Sequence, residues 1–310
     1  MTMKPRVVAT GLEFPEGPVV LPDGSLVVVE IRAGRLTRIA PDGQTSVLAV
    51  TGGGPNGAAL GPDGALYVAN NGGFEWTERV SASTGRRMLL PGDRPKDYRG
   101  GSIQRVTLAG EVTTLYTACD GEPLKGPNDL VFDAEGNFYF TDHGKTHGRQ
   151  RDRTGVFYAS PDGHFIREII WPMEAPNGIG LSPDGRTLYV AESPTGRLWA
   201  FELTAPGQVG RRRVVGTVPG APPLNVAYCD SLCVDAEGNV LVATIVNGGI
   251  TVFSPERGVL RHVPCPDPFT TNACFGGPDL RTLYVTLSTR GEVVAFDHWP
   301  EPGLKLFQPA

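Results

Sequence analysis

The chain has 310 residues, of which 20% are charged, with a formal net charge of −5 and 41 glycines and 28 prolines. No basic stripe exists for a nucleic acid to bind, and no apolar run is long enough to span a bilayer, so neither is an expected partner. Five cysteines, at 119, 229, 233, 265 and 274, match neither a disulfide framework nor a zinc spacing and point to a reducing cytoplasm. Cys229 and Cys233 are expected as buried free thiols.

Residues 6–9 read as a short strand. Pro15-Glu16-Gly17-Pro18 follows, running as an apolar strand into Asp23-Gly24 and returning as a second strand at Leu26. The same grammar recurs from Asn56 to Asp63-Gly64, from Asn128 to Glu135-Gly136 and from Asn177 to Asp184-Gly185. It recurs again from Asp230 to Glu237-Gly238, and finally from Asn272 to Asp279. In all six copies the acidic turn residue lies seven positions after the polar opener, and successive openers are 40, 72, 49, 53 and 42 residues apart. That period fits one propeller blade. A four-stranded blade cannot bury both faces alone and must stack on neighbours in a ring. The expectation is an all-β, six-bladed propeller with antiparallel four-stranded blades, a single domain over residues 1–310.

Each later opener follows a strand that ends the preceding blade, at 46–49, 112–116, 165–170, 213–218 and 259–263. Residues 6–9 have no blade before them, so they should close the last one and hide its edge. The tail Leu304-Lys305-Leu306-Phe307 could compete for that edge. The acidic residues before glycine read as turn formers, as do Pro41-Asp42-Gly43 and Pro161-Asp162-Gly163. Arg211-Arg212-Arg213 reads as a solvated strand.

Strand polarity puts the openers on one face, together with the loops that follow second strands. One such loop, residues 70–101, is far longer than an ordinary connection. It carries Phe74, Trp76 and Tyr98, as expected for a lid or pocket wall. Another carries His143, a candidate substrate contact, and His147, expected to be exposed.

Glu16, Asn56, Asn128, Asn177, Asp230 and Asn272 therefore converge on one channel mouth. An Asn before Gly taken alone reads as an Asx-turn. Six oxygen donors on one axis, two of them carboxylates that would repel each other, read as a cation site. With no His or Cys among them, hard cations are favoured, calcium above all.

Four motifs carry a family resemblance: Phe14-Pro15-Glu16-Gly17-Pro18, Gly126-Pro127-Asn128-Asp129-Leu130-Val131-Phe132-Asp133, Ala175-Pro176-Asn177-Gly178-Ile179 and Cys229-Asp230-Ser231-Leu232. Over essentially its whole length the chain resembles the senescence-marker-protein/gluconolactonase family. The resemblance implies one divalent cation, calcium first with zinc, manganese or iron as alternatives, held by Glu16, Asn177 and Asp230, with Asn128 as ligand or close neighbour. It implies hydrolysis of a small lactone, with Asp230 as general base or, in phosphotriester-type members, as direct nucleophile; Asn56, Asn128 and His143, all on the mouth face, are expected to meet substrate. Where animal members place a sugar-binding Arg, this chain has Gly126, so a polyhydroxy sugar lactone is less firmly implied than a lactone as such. The alternatives are an organophosphate or ester hydrolase on the same cation, or a non-catalytic binding platform. A metal-free, strictosidine-synthase-like catalyst fits less well, because both Glu16 and Asp230 are present. A monomer is compatible with all of these readings.

Overall fold

A computed structural model describes residues 3–80, 85–222 and 225–306. Six four-stranded antiparallel sheets stand around one axis. Blade one comprises Pro15–Val20, Leu26–Glu30, Arg35–Ile39 and Thr45–Val50, from the axis outward. Blades two to five begin with Pro55–Leu60, Pro127–Phe132, Pro176–Leu181 and Tyr228–Val234. Blade six begins with Thr270–Gly276, and its outermost strand is Arg6–Ala9, paired antiparallel with Glu292–Phe296. The N-terminal strand thus closes the ring as expected. The tail does not compete for that edge: Leu304 donates its N–H to the Val234 carbonyl, and residues 304–306 border the lower end of the channel. Phe307 lies outside the described residues.

Six apolar clusters hold the ring, and each spans two neighbouring blades. Val27, Val29, Leu60 and Leu66 join blades one and two; Leu26, Val28 and Val293 join blades six and one. Burying each such side chain contributes roughly 1.5–3 kcal/mol, and none of it is available to a blade in isolation.

The acidic turns lie at the far face, with one change of detail. Asp23, Asp63, Asp184 and Asp279 accept the N–H two residues on, at 3.0 to 3.1 Å. In blades three and five Asp133 and Asp235 do this instead, accepting from Glu135 and Glu237. A carboxylate two residues earlier already satisfies those turns, so the two glutamates serve only as turn positions. Arg211, Arg212 and Arg213 lie exposed on the outermost strand Gln208–Thr217, as expected.

Nearest the axis the strands approach one another too closely for side chains. A Cβ on Gly57 would lie 2.4 Å from the Asn128 carbonyl oxygen, and one on Gly178 would lie 2.5 Å from the Leu232 nitrogen. Asn56-Gly57 and Asn177-Gly178 are therefore not Asx-turns. Each lies within a strand, and its glycine follows the opener because a neighbouring backbone fills the space. Gly57→Ala is expected to cost at least about 3 kcal/mol, the upper end of ordinary overpacking, because backbone rather than a flexible side chain must yield. Chemical denaturation checks this; an unchanged midpoint would contradict the close approach.

Candidate active site

In each innermost strand the register with its partner shifts around the opener, between Glu16 and Val19 in blade one and between Cys229 and Leu232 in blade five. The other four blades shift at the corresponding positions. Such a bulge re-aims a side chain and twists the strand; here it coincides with the six polar openers. Glu16, Asn56, Asn128, Asn177 and Asp230 line one cavity of about 450 Å³. Asn272 instead borders a second, largely apolar chamber of about 430 Å³ further down the channel, as does Asp129.

Three buried carboxyls meet here, with no basic side chain among the groups that act on them. Burial pushes the Glu16 carboxyl up to about 7, against hydrogen bonds from Asn272 and Gly17. Asp230 is raised well above its ordinary value, first by burial and then by the Glu16 charge, and Asp129 is raised by the same two causes. Such a cluster must hold protons or a cation.

The amides differ by their partners. Asn272 is fully engaged: its Nδ2 donates to Glu16 Oε2 at 2.8 Å, and its Oδ1 accepts the Ala273 N–H at 2.7 Å. Glu16 Oε2 also accepts the Gly17 N–H at 2.8 Å, and the Thr271 side chain hydrogen-bonds the same carboxyl. Asn128 Oδ1 is buried with no hydrogen-bond partner among the described residues. Asn177 lies between the Ser193 and Ser231 hydroxyls, at 3.2 and 3.4 Å. A hydroxyl takes only one lone pair of the Asn177 oxygen and leaves the other, and the Asn177 amide also hydrogen-bonds the Asp230 carboxyl. Two carboxylates and two available amide oxygens fit a hard divalent cation. Among the described residues no group of three or more His, Cys, Asp or Glu forms a metal cluster, which is consistent because half of this donor set is amide.

His143 lines the same cavity. Its Nε2 lies 2.7 Å from an Arg151 nitrogen, and an arginine only donates. His143 is therefore neutral with its proton on Nδ1. Burial, then the Arg151 and Lys145 charges, hold it well below its ordinary pKa. His147 is half-buried and lies 3.5 Å from Asp152, away from the cavity.

Arg151 was not identified from sequence. It comes from a short hairpin pairing Thr146–His147 with Gln150–Arg151 and lines the cavity near His143. Strands of two residues leave no periodic signal. At Gly126 a side chain is sterically blocked, since a Cβ there would lie 2.9 Å from the Gly144 carbonyl oxygen. A guanidinium therefore reaches the cavity from another loop.

The long insertion forms a wall. Trp76–Val80 pairs with Arg87–Pro91, and Phe74, Pro91 and Gly92 line the cavity. Trp76 packs on Phe14 with ring centroids 5.1 Å apart. Residues 81–84 lie outside the described set. Tyr98 does not reach the cavity; its hydroxyl donates to the Lys125 carbonyl. Asp142 is a loop pin, accepting the Lys125 and Gly126 N–H groups, each at 2.7 Å.

Residues 14–289 match the family described as SMP-30/Gluconolactonase/LRE-like region. Diisopropyl-fluorophosphatase from Loligo vulgaris is 30% identical over 202 residues, 61% of this chain and 62% of that protein, less than two thirds of either. Gluconolactonase from Zymomonas mobilis is 27% identical, over 91% of this chain and 78% of that protein. The solved structure of a gluconolactonase from Xanthomonas campestris superposes with a TM-score of 0.74 at 23% identity, covering 97% of this chain and 90% of the other.

The carboxyl shifts give a signed prediction. Glu16, Asp230 and Asp129 have folded pKa values above their ordinary 4.5 and 3.8. Their contribution to stability is complete below about 4 and is lost as pH rises through the folded values, near 7 for Glu16. A cation that takes over from the protons should stabilise most at high pH. Calcium in excess is expected to raise the Tm of chelated protein on the order of 5–10 °C at pH 8 and less at pH 5.5, read by scanning calorimetry. His143 titrates in the opposite sense in both arms and cancels in the difference. An equal gain at both pH values would contradict the arrangement.

Proposed function

The chain belongs to the SMP-30/gluconolactonase/LRE-like family, and from that premise we propose that it is a divalent-cation-dependent hydrolase of small lactones. One observation carries the reading: the buried Glu16 and Asp230 share the base of the cavity with the Asn128 oxygen, unpartnered among the described residues, and the Asn177 amide. The names of the relatives, gluconolactonase among them, support the reaction class.

Glu16, Asn128, Asn177 and Asp230 would hold the cation, and their all-oxygen chemistry favours calcium over zinc, manganese or iron. When bound, such an ion supplies Lewis acidity to the substrate carbonyl and lowers the pKa of water. The chain's own groups do the rest. Asp230 accepts a proton from the water whose oxygen bonds to the carbonyl carbon. The carbon–oxygen bond of the ring then breaks, and that proton returns to the ring oxygen, leaving a hydroxy acid whose carboxyl gives up its proton to solvent. Glu16, held by Gly17 and Asn272, remains a ligand throughout. Asn56, Asn128 and His143 meet the substrate, and Arg151 provides a cation for the carboxylate formed. The apolar wall of Phe14, Phe74 and Phe269 suits a ring with few hydroxyls better than a polyhydroxy sugar lactone.

A phosphotriester or other ester is the second reading, favoured by the 30% identity to a diisopropyl-fluorophosphatase; the same proton transfer serves both. A passive binding platform accounts less well for two buried, unpaired carboxylates. Residues 1–310 are taken as one propeller unit acting on a small molecule. Five free cysteines accord with a cytoplasmic setting, and among the described residues no helix is long and apolar enough to cross a membrane.

Proton release from a panel of sugar and simple γ- and δ-lactones, followed with a pH indicator, tests the reading. Chelated protein is expected to be inactive and to recover with added calcium or another divalent ion. Asp230→Asn is expected to lower kcat at least about 10²-fold. Full turnover by that variant would remove Asp230 from the base role, and turnover of phosphotriesters alone would select the second reading.

A further inference from the structure

Lys145 is 1% exposed and has no ion pair among the described residues. It extends from the blade-three loop to the blade-two loop, where its Nζ donates to Asn71 Oδ1 at 2.9 Å and to the Gly73 carbonyl at 2.6 Å. The same nitrogen lies 3.6 Å from the centre of the Phe74 ring. Burial holds the Lys145 amine well below its ordinary pKa, against the Asp142 and Asp152 charges; burying such a group is costly, and docking one loop on another does not require it.

What it achieves follows from donors and acceptors. Asn71 Oδ1 receives Lys145 Nζ and also the Gly73 backbone N–H, at 2.8 Å. A backbone N–H only donates, so that atom of Asn71 must be its oxygen. The other end, the NH₂, lies 2.8 Å from Asn56. An NH₂ only donates, so the receiving atom on Asn56 must be its oxygen. The orientation of Asn56 is thereby set by a chain ending in main chain, with no freedom to flip. Asn56 borders the cavity; its oxygen already accepts from Asn71, and its Nδ2 hydrogens are free to serve a ligand. It offers a cation less than Asn128 does, whose oxygen has no partner among the described residues.

We propose that Lys145 and Asn71 are positioning residues that lock the Asn56 amide as a hydrogen-bond donor to the substrate oxygen on which negative charge develops. The proposal rests on the hydrolase reading and deepens it. It assigns the site a substrate with a carbonyl or phosphoryl acceptor, met by a neutral donor from the blade next to that of Glu16.

The test uses the whole protein and two readouts. Asn71→Asp keeps an oxygen for Lys145 and for the Gly73 N–H but has no hydrogen to give Asn56. It is expected to lower kcat about 10-fold with little change in KM, and Asn56→Ala to lower it about 10²-fold, the loss typical of one such donor. The double variant should match Asn56→Ala alone, because the first change acts only through Asn56. Additive losses would overturn the relay. Lys145→Met leaves the Gly73 N–H on Asn71 Oδ1 and should lower kcat less than Asn71→Asp does; if it fails to fold, Asn71→Asp and the double variant decide. Independently of turnover, titration calorimetry of calcium into chelated Asn56→Ala should give the affinity of the unsubstituted protein within about 3-fold. A 10-fold weakening would make Asn56 a ligand by its oxygen and overturn the proposal. Absence of turnover in the unsubstituted protein would defeat the hydrolase reading alone, and the calorimetry would still decide the orientation of Asn56.

Discussion

Everything at the mouth of this channel depends on how closely the innermost strands approach. Gly17 lies against the main chain of residues 56–58, Gly57 against residues 128–129, and Gly178 against residues 231–232. Without Cβ atoms at these points the ring tightens until side chains from five blades share one cavity. Because the six apolar clusters lie between blades, the same contacts that stabilise the fold also set the width of the channel. Stability and site geometry are one constraint here.

Within that ring, position alone does not decide what an opener does. Asn56, Asn128, Asn177 and Asn272 occupy equivalent places, yet their neighbours divide them. Asn272 is consumed in supporting Glu16. Asn56 is turned by Asn71, Asn177 lies between two hydroxyls, and Asn128 has an oxygen with no partner among the described residues. The carboxylates stand among them, Glu16 against Asn272 and Asp230 against Asn177, desolvated and mutually repelling. A cavity that holds both acids and neutral amide donors suits a reaction in which a proton leaves water while an oxygen gains charge.

Much of this was legible in the sequence, for a physical reason. Alternating apolar strands and a fixed seven-residue offset are local features, and they identified all six openers and the closing strand Arg6–Ala9. Local reasoning failed where the cause was a neighbour. The glycine after Asn56 read as a turn residue, whereas it makes room for blade three. Asp129 stood inside a quoted motif without a role, because its proximity to Glu16 is a contact between blades. Lys145, Asn71 and Arg151 lie on loops without periodicity. Only the folded ring brings Lys145 to Asn71, 74 positions away in the chain.

The measurement closest to the central claim is anomalous diffraction from crystals of the protein soaked in manganese, collected near the metal's absorption edge. One peak on the channel axis is predicted, with side-chain oxygens of Glu16, Asn128, Asn177 and Asp230 at about 2.0–2.5 Å and the Asn56 nitrogen turned toward open cavity. A peak ligated by His143 or by the acidic turns, or no peak in the channel, would contradict the account.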